Sequence, residues 1–260
     1  GITNAGNFST DSGTIKLDGN YPTGTDNVAL GDTALDTVEA GGTNNTAIGN
    51  HAGTAITTGD YNTALGSLSL ESNTTAGNNT AIGGAALRCN TTGCENTSVG
   101  SGSMASNTEG DNNVAVGRFA LSGNTTADSN TAVGHCSLKA NTTGTLNTAV
   151  GVCSSYAMTT GQQNISMGGN SLLANTTGSR NSALGQSSLS SNVSGVDNVA
   201  VGHGALSSNT SDNNVGVGRA SLQANVGGNL NTAVGAFSSR CNTTGLQNVS
   251  VGACSNHGST

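Results

Sequence analysis

The chain has 260 residues, of which 40 are glycine, 8% are charged and 2% are aromatic, and its formal net charge is −7. Average soluble domains carry about 25% charged residues, and globular enzymes are built around large apolar and aromatic side chains, so this composition argues against an enzyme. Neither half of the chain has a basic patch, and no apolar run approaches the ~20 residues of a membrane span. We therefore expect no nucleic-acid binding and no membrane insertion.

Two regions follow one another along the chain. Residues 1–26 are predicted to form an N-terminal connector or cap, and residues 27–260 are predicted to form a repeat domain. The N-terminal region is polar and has no basic stretch followed by an apolar one, so no signal peptide is visible.

The repeat domain is defined by a pentapeptide of asparagine, any residue, a small residue, an aliphatic residue and glycine, which occurs fourteen times. The closing glycines are separated by 18 residues, then by 17 nine times, then by 16, 17 and 17. This period is too short for helix-pair repeats of about 33–47 residues, but it suits one coil of a solenoid whose coils stack on each other. We predict an all-β parallel β-solenoid (β-roll) with about fourteen 17-residue coils.

The faces of each coil can be predicted by counting positions from the repeat glycine as zero. The residue at −1 is always aliphatic, with methionine once, and is expected to point into the coil, as is the leucine at +4, such as Leu70. Small residues at +2 and +6, such as Ala85 and Cys241, are expected on the same inward face. Position +5 carries charges such as Arg88 and is expected to face solvent.

Small residues at −2 and +3 are predicted to form an outer stripe. Position −2 is alanine, serine or glycine in every coil, and position +3 is always small, as at Ala34 and Ser69. Such a stripe permits close approach of another chain, so we expect oligomerisation, with a homotrimer as the closure. The alternative is that these small residues only satisfy the geometry of a tight coil.

Asparagine ladders are predicted at two corners of the coil. Stacked asparagines about 4.8 Å apart can bond to their copies in neighbouring coils, and asparagine also suits turns. The first ladder, at position −4, consists of Asn27, Asn45, Asn62, Asn79, Asn96, Asn113, Asn130, Asn147, Asn164, Asn181, Asn198, Asn214, Asn231 and Asn248. The second, at +7, consists of Asn73, Asn90, Asn107, Asn124, Asn141, Asn175, Asn192, Asn209, Asn225 and Asn242.

The repeat of Asn-Thr-Ala-Val-Gly followed by two residues and Ala-Leu resembles the head repeats of trimeric autotransporter adhesins. The 17-residue form, with Asn-Thr-Thr-Gly inserted, is similar to repeats of bacteriophage tail fibres and related fibrous surface proteins. The resemblance covers residues 27–256, and residues 8–20 look like a fibre connector. It implies a left-handed parallel β-roll, three chains lying side by side, and a place on a virion or cell surface.

Six cysteines leave two interpretations open. Five occupy positions that are predicted to be inward, where a thiol acts as a small hydrophobe: Cys89, Cys136, Cys153, Cys241 and Cys254. Cys136 and Cys153 share position +2 in adjacent coils, within the Cα range of a disulfide, so they are a candidate pair in an extracellular setting. Cys89 and Cys94 flank a turn and form a second candidate pair.

No catalytic, metal or cofactor site is predicted. The histidines, His51, His135, His203 and His257, are scattered over distant coils. Asp111 and Asp128 share one position in adjacent coils, but no acidic ladder continues from them, and we interpret them as solvated turn acids.

The leading functional hypothesis is a passive extracellular fibre: a rigid trimeric shaft or adhesive head of a phage tail fibre or cell-surface adhesin. Arg118-Phe119, Tyr156 and Phe237 depart from the repeat and are candidate contacts for a surface glycan or receptor. The alternative is an ice-binding β-solenoid, because threonine recurs in each coil, although the regular Thr-x-Thr array is missing. A polysaccharide-cleaving β-helix is disfavoured because acidic residues are sparse.

Overall fold

The structure is a computed structural model that describes residues 26–39 and 41–256. Within these residues there are fourteen strands of three residues each, and no helix. The strands are β1 (Val28–Leu30), β2 (Thr46–Ile48), β3 (Thr63–Leu65), β4 (Thr80–Ile82), β5 (Thr97–Val99), β6 (Val114–Val116), β7 (Thr131–Val133), β8 (Thr148–Val150), β9 (Ile165–Met167), β10 (Ser182–Leu184), β11 (Val199–Val201), β12 (Val215–Val217), β13 (Thr232–Val234) and β14 (Val249–Val251). The predicted all-β parallel solenoid is confirmed, while the predicted connector at residues 1–26 lies almost entirely outside the described residues.

The chain divides into two compact units, residues 1–126 with β1–β6 and residues 127–260 with β7–β14. Within each unit, consecutive strands pair in parallel, so that equal positions of neighbouring coils lie side by side. The 18-residue and 16-residue spacings keep this register, since Val28 pairs with Thr46 and Val199 pairs with Val215. The added and the missing residue are therefore absorbed outside the strands.

A turn segment, positions +1 to +6 of each coil, follows each strand and joins the coil to both of its neighbours. In the coil of Gly66, residues Leu68 and Leu70 have positive φ angles of 61° and 49°. The N–H of Leu68 donates to the preceding coil's Asn50 O at 2.9 Å, whereas the N–H of Leu70 donates to the following coil's Ala86 O at 3.1 Å. A left-handed leucine is unfavourable by about 1–2 kcal/mol, which full burial of its side chain, worth roughly 1.5–3 kcal/mol, offsets.

The repeat glycine lies where neighbouring coils approach each other closely. Gly66 has a φ of +136°, and a Cβ atom there would lie 2.7 Å from the carbonyl carbon and oxygen of Gly83 in the next coil. Real Cβ atoms essentially never come so close to backbone atoms, so a side chain would force the coils apart. This contact explains why glycine recurs at position zero.

The coil interior combines a leucine with small side chains. The leucines at +4 are fully buried, as predicted, and include Leu70, Leu138 and Leu222 at 0% exposure. However, the residues at −2 and +3 are also buried, as Ala81 and Ser69 illustrate. The prediction of a small outer stripe at −2 and +3 is therefore wrong.

The aliphatic residues at −1 point outward, which is a second correction. Leu65 is 44% exposed and Leu184 is 39% exposed, whereas their neighbours Ala64 and Ala183 are buried. The coil is too narrow for a larger residue at −2, since a Cβ atom on Gly216 would lie only 3.1 Å from Leu206 Cγ. The leucine at +4 already fills the space between the walls.

Positions +2 and +6 are more exposed than predicted in several coils, although Cys136 and Ala220 at +2 are buried. Ala85 is half-buried and Cys241 is exposed. The positive φ angles at +2 and +4 interrupt strand alternation. The alternating inward and outward faces of the strand therefore do not continue into the turn segment.

Candidate functional site

The first asparagine ladder runs through the interior at position −4. Asn45 Oδ1 accepts the backbone N–H of Asn62 at 2.9 Å and its Nδ2 at 3.1 Å. Asn62 Nδ2 also donates to Ala76 O at 2.9 Å. In unit 2, Asn147 Oδ1 receives the same two donors of Asn164 at 3.0 and 3.2 Å. Each carboxamide therefore holds the next coil in register.

The second asparagine ladder, at position +7, meets the first at a shared carbonyl. Asn90 Nδ2 donates to Asn73 Oδ1 and to Gly93 O, both at 2.8 Å. Gly93 O also accepts from Asn79 Nδ2 of the first ladder at 2.9 Å. A Cβ atom at Gly93 would lie 2.6 Å from Asn90 Oδ1, so glycine leaves room for both amides.

Three coils have a buried apolar residue at +7 in place of the second asparagine: Val38, Ile56 and Met158. The coil of Val38 keeps Leu35 at +4, whereas the coils of Ile56 and Met158 have Gly53 and Ser155 where most coils have leucine. A Cβ atom on Gly53 would lie 3.0 Å from Ile56 Cδ1. In these two coils the residue at +7 thus fills the volume that the missing leucine leaves. The sequence signal for this exchange is the loss of leucine at +4 together with a large apolar residue three positions later, at +7. The faces predicted from the repeat did not take it into account.

The 16-residue spacing leaves one ladder atom unsatisfied. Asn192 Oδ1 is buried without a hydrogen-bond partner, because Asn209 Nδ2 donates instead to Ser211 O at 2.7 Å. An unsatisfied buried acceptor is unfavourable by about 1–3 kcal/mol. The shortened coil is therefore a local weak point of unit 2.

The cysteines are free thiols in the structure. Cys136 is buried at 6% exposure and Cys153 is half-buried. The N–H of Cys153 donates to His135 O at 3.0 Å, which places the two cysteines at the same position of consecutive coils. Their disulfide stays a prediction. Cys241 and Cys254 are exposed, so the predicted inward placement is wrong for these two, and Cys89, like Cys153, is half-buried.

The acidic and histidine side chains are dispersed. Asp111 Oδ1 accepts the N–H of Cys94 at 2.7 Å, and Asp128 is exposed. Over residues 26–39 and 41–256, no three His, Cys, Asp or Glu side chains are grouped so that they could hold a metal ion. The same stretch has no helix of the length and hydropathy that crossing a bilayer requires. His257 lies outside it.

The outer strand face, formed by the side chains at −3 and −1, is an uncharged surface of recurring apolar side chains. None of the fourteen described strands carries a charged residue. At −3 the side chains are threonine, valine, isoleucine or serine, and at −1 they are aliphatic or methionine. The members above 35% exposure within the body of each unit are Leu65, Val116, Val150, Ile165, Met167, Leu184 and Val234.

The aromatic residues that depart from the repeat lie beside cations. Arg118 Cζ lies 4.3 Å from the ring centre of Phe119, and Lys139 Nζ lies 5.3 Å from that of Tyr156. Phe237 has two such neighbours, Arg219 and Arg240, which the sequence analysis did not single out. Residues 219 and 237 are one coil plus one position apart in the sequence, but the backbone bond from Phe237 N–H to Arg219 O was needed to identify them as neighbours.

One ion pair lies on another corner of unit 2. Arg180 Nε and Asp197 Oδ1 are 2.7 Å apart, and a second bond joins Arg180 Nη2 to Asp197 Oδ2 at 2.9 Å. The hydrogen bond from Arg180 lowers the pKa of Asp197 below its ordinary value. Both side chains are exposed, so the pair adds little stability.

Comparison with family models, curated proteins and solved structures gives no match for this chain.

Proposed function

We propose that this chain is a non-enzymatic segment of an extracellular fibre, in which three copies pack side by side through their outer strand faces. The supporting observation is the uncharged, in-register face of exposed aliphatic side chains at −1. Soluble monomers rarely expose contiguous apolar patches above a few hundred Å². The face replaces the small outer stripe as the expected contact between copies.

Three copies are expected because the adhesin-like repeats imply a trimer, in which the strand faces of three copies meet around a three-fold axis. In the described coils, leucines such as Leu70 and asparagine amides occupy the interior, which supports a structural role. The resemblance to adhesin heads and tail-fibre repeats favours a virion or cell surface. The fibre would serve as a rigid shaft, and its faces outside the contact between copies would be available to bind a surface glycan or receptor.

Sedimentation analysis of the 260-residue chain tests this proposal. We expect three times the 25.2 kDa chain mass. The variant V150K/L184K, which places charges on the outer strand face, should sediment as a monomer with an unchanged circular dichroism spectrum. The control T143K/T177K alters exposed threonines at +9 and should remain trimeric. A wild-type monomer of 25.2 kDa at high concentration would contradict the proposal.

Ice binding is a second candidate, favoured by threonines at −3. Four consecutive coils of unit 1 place Thr46, Thr63, Thr80 and Thr97 on the outer strand face in register. A face buried between copies cannot meet ice, so the two functions exclude each other. Thermal hysteresis of the purified chain separates them: its presence, abolished in T63Y/T80Y, supports ice binding, and its absence eliminates it.

A further inference from the structure

The acidic and basic residues of unit 2 occupy different parts of the coil, apart from Arg180, which pairs with Asp197 outside the turn segments. Its turn segments carry Lys139, Arg219 and Arg240, together with His135 and His203, and carry no acidic residue. The acids of unit 2, Asp128, Asp197 and Asp212, all lie at positions −6 and −5. The corresponding turn segments of unit 1 mix both signs, with Asp32, Asp36 and Glu71 beside Arg88 and Arg118. Unit 2 therefore presents a turn-segment surface that is only cationic.

Two of these cations converge on one aromatic ring. Arg219 Cζ lies 5.1 Å and Arg240 Cζ lies 5.4 Å from the ring centre of Phe237. The N–H of Phe237 donates to Arg219 O at 2.8 Å, so backbone pairing of consecutive coils fixes this arrangement. Both arginines are exposed, and Phe237 is half-buried. The ring stabilises each guanidinium through its π face.

The hydrogen-bond donors of this pair are largely unused. Arg240 Nε donates to Gln223 Oε1 at 2.9 Å, which leaves its two terminal nitrogens available. The Arg219 side chain has no protein acceptor and, like Arg240, no carboxylate within salt-bridge distance among residues 26–39 and 41–256. Both guanidinium groups lie within 5.4 Å of the same ring centre, and because like charges repel, an oxyanion bound to both would offset their positive charge. Guanidinium groups match the geometry of carboxylate and sulfate oxygens.

We propose that Arg219, Phe237 and Arg240 form a binding site for a carboxylated or sulfated sugar of an acidic polysaccharide. The two guanidinium groups bind the oxyanion, and the edge of Phe237 contacts the apolar face of the sugar ring. The inference deepens the adhesive role proposed above and rests on it.

The sparse charges favour a polysaccharide over a nucleic acid. Duplex DNA carries one negative charge per about 1.7 Å of axis, and its binding requires many phosphate contacts. Here Lys139 and Arg219 are separated by five coils, with no lysine or arginine on the turn segments between them. A single acidic sugar bound at Arg219 and Arg240 fits this distribution of cations better than a nucleic-acid backbone, which would need cations along its length.

Calorimetric titration of the full chain with dextran sulfate and with alginate tests the site. We expect binding of at least one of them, no binding of neutral dextran, and at least tenfold weaker binding to R219Q/R240Q. The control R88Q/R180Q removes the same charge elsewhere and should change affinity less than twofold. R219K/R240K keeps the positive charges but loses the planar guanidinium groups, which can donate two parallel hydrogen bonds to an oxyanion. This variant should also bind more weakly than wild type.

Several results would overturn the site. They are binding of neither polyanion, equal losses in R219Q/R240Q and R88Q/R180Q, full affinity in R219K/R240K, or tighter arginine-dependent binding of duplex DNA. Sedimentation of the same samples separates this inference from the fibre proposal. A trimer that binds neither polysaccharide overturns the site alone, and a monomer that binds through Arg219 and Arg240 overturns the trimer alone.

Discussion

The interior ladders and the outer strand face repeat with the same period but accept different residues. Position −4 is asparagine in every repeat, and its carboxamide is bound at 2.8–3.2 Å by the next coil. Position −1 varies among leucine, isoleucine, valine and methionine, all partly exposed. Hydrogen-bond geometry fixes the interior, whereas the outer face needs only apolar character. Within each strand, the larger side chain at −1 therefore faces outward, and the small side chain at −2 faces the interior.

The largest effect is expected from breaking an interior ladder. Asn90→Ala removes the bonds to Asn73 Oδ1 and Gly93 O and takes away one of the two acceptors of Asn107 Nδ2, which keeps only Gly110 O. Unsatisfied buried groups are unfavourable by about 1–3 kcal/mol each, so we expect the free energy of unfolding to fall by about 3–5 kcal/mol. Denaturant titration followed by circular dichroism measures it. Thr92→Ala, at an exposed neighbouring position, is the control, and equal stability of the two variants would refute the ladder's role.

The exchange between positions +4 and +7 should appear as strong coupling. Met158→Asn alone opens a cavity, at about 2–5 kcal/mol, and Ser155→Leu alone overpacks the coil, at about 1–3 kcal/mol. The double variant S155L/M158N recreates the usual coil and should lie near wild-type stability. A double-mutant cycle of unfolding free energies tests this expectation. Additive losses would show that the two side chains do not share one volume.

Neighbouring residues of β10 give a smaller and more direct contrast. Ala183→Leu enlarges a fully buried side chain and should destabilise the coil by about 1–3 kcal/mol. Leu184→Ala truncates an exposed one and should change the stability of the separated chain by less than about 1 kcal/mol. Stabilities measured in the V150K background, where association is weakened, make this comparison. A larger loss of stability in Leu184→Ala than in Ala183→Leu would instead support the sequence prediction, in which −1 faces inward and −2 faces outward.

The smallest effect is expected at the exposed Arg180–Asp197 pair. Because the folded-state pKa of Asp197 is lowered, its contribution is present above the ordinary aspartate pKa and is lost as pH falls through the lowered value. Asp197→Asn should therefore shift the thermal midpoint slightly at neutral pH and not at all in strong acid. Melting curves of both proteins from neutral to acidic pH check this prediction. A larger difference in thermal midpoint at acidic than at neutral pH would contradict the lowered pKa of Asp197.

Much of the fold follows from the repeat. The spacing of the Asn-led pentapeptides predicts each strand, because side chains and backbone must meet their copies one coil away. The leucine at +4, such as Leu138, is also predictable as the largest recurring apolar residue. The faces of −1 and −2 were not predictable by alternation, because glycine at zero and positive φ at Leu68 and Leu70 interrupt strand parity.

The candidate sites were predictable only in part. The outer strand face was hidden by the assumption that large aliphatic residues such as Leu65 lie inside. Arg219, Phe237 and Arg240 occupy positions +1, +2 and +5, whose side-chain directions depend on left-handed residues rather than on strand pleat. Their proximity required the backbone pairing of Phe237 with Arg219.

Exchange of asparagine carboxamide protons, measured by nuclear magnetic resonance, tests the ladders most directly. Ladder residues such as Asn90 and Asn164 should exchange orders of magnitude more slowly than the exposed Asn78 and Asn112. Cross-coil bonds between identical amides require this protection. Equal, fast exchange at all four residues would contradict an interior built on stacked asparagines.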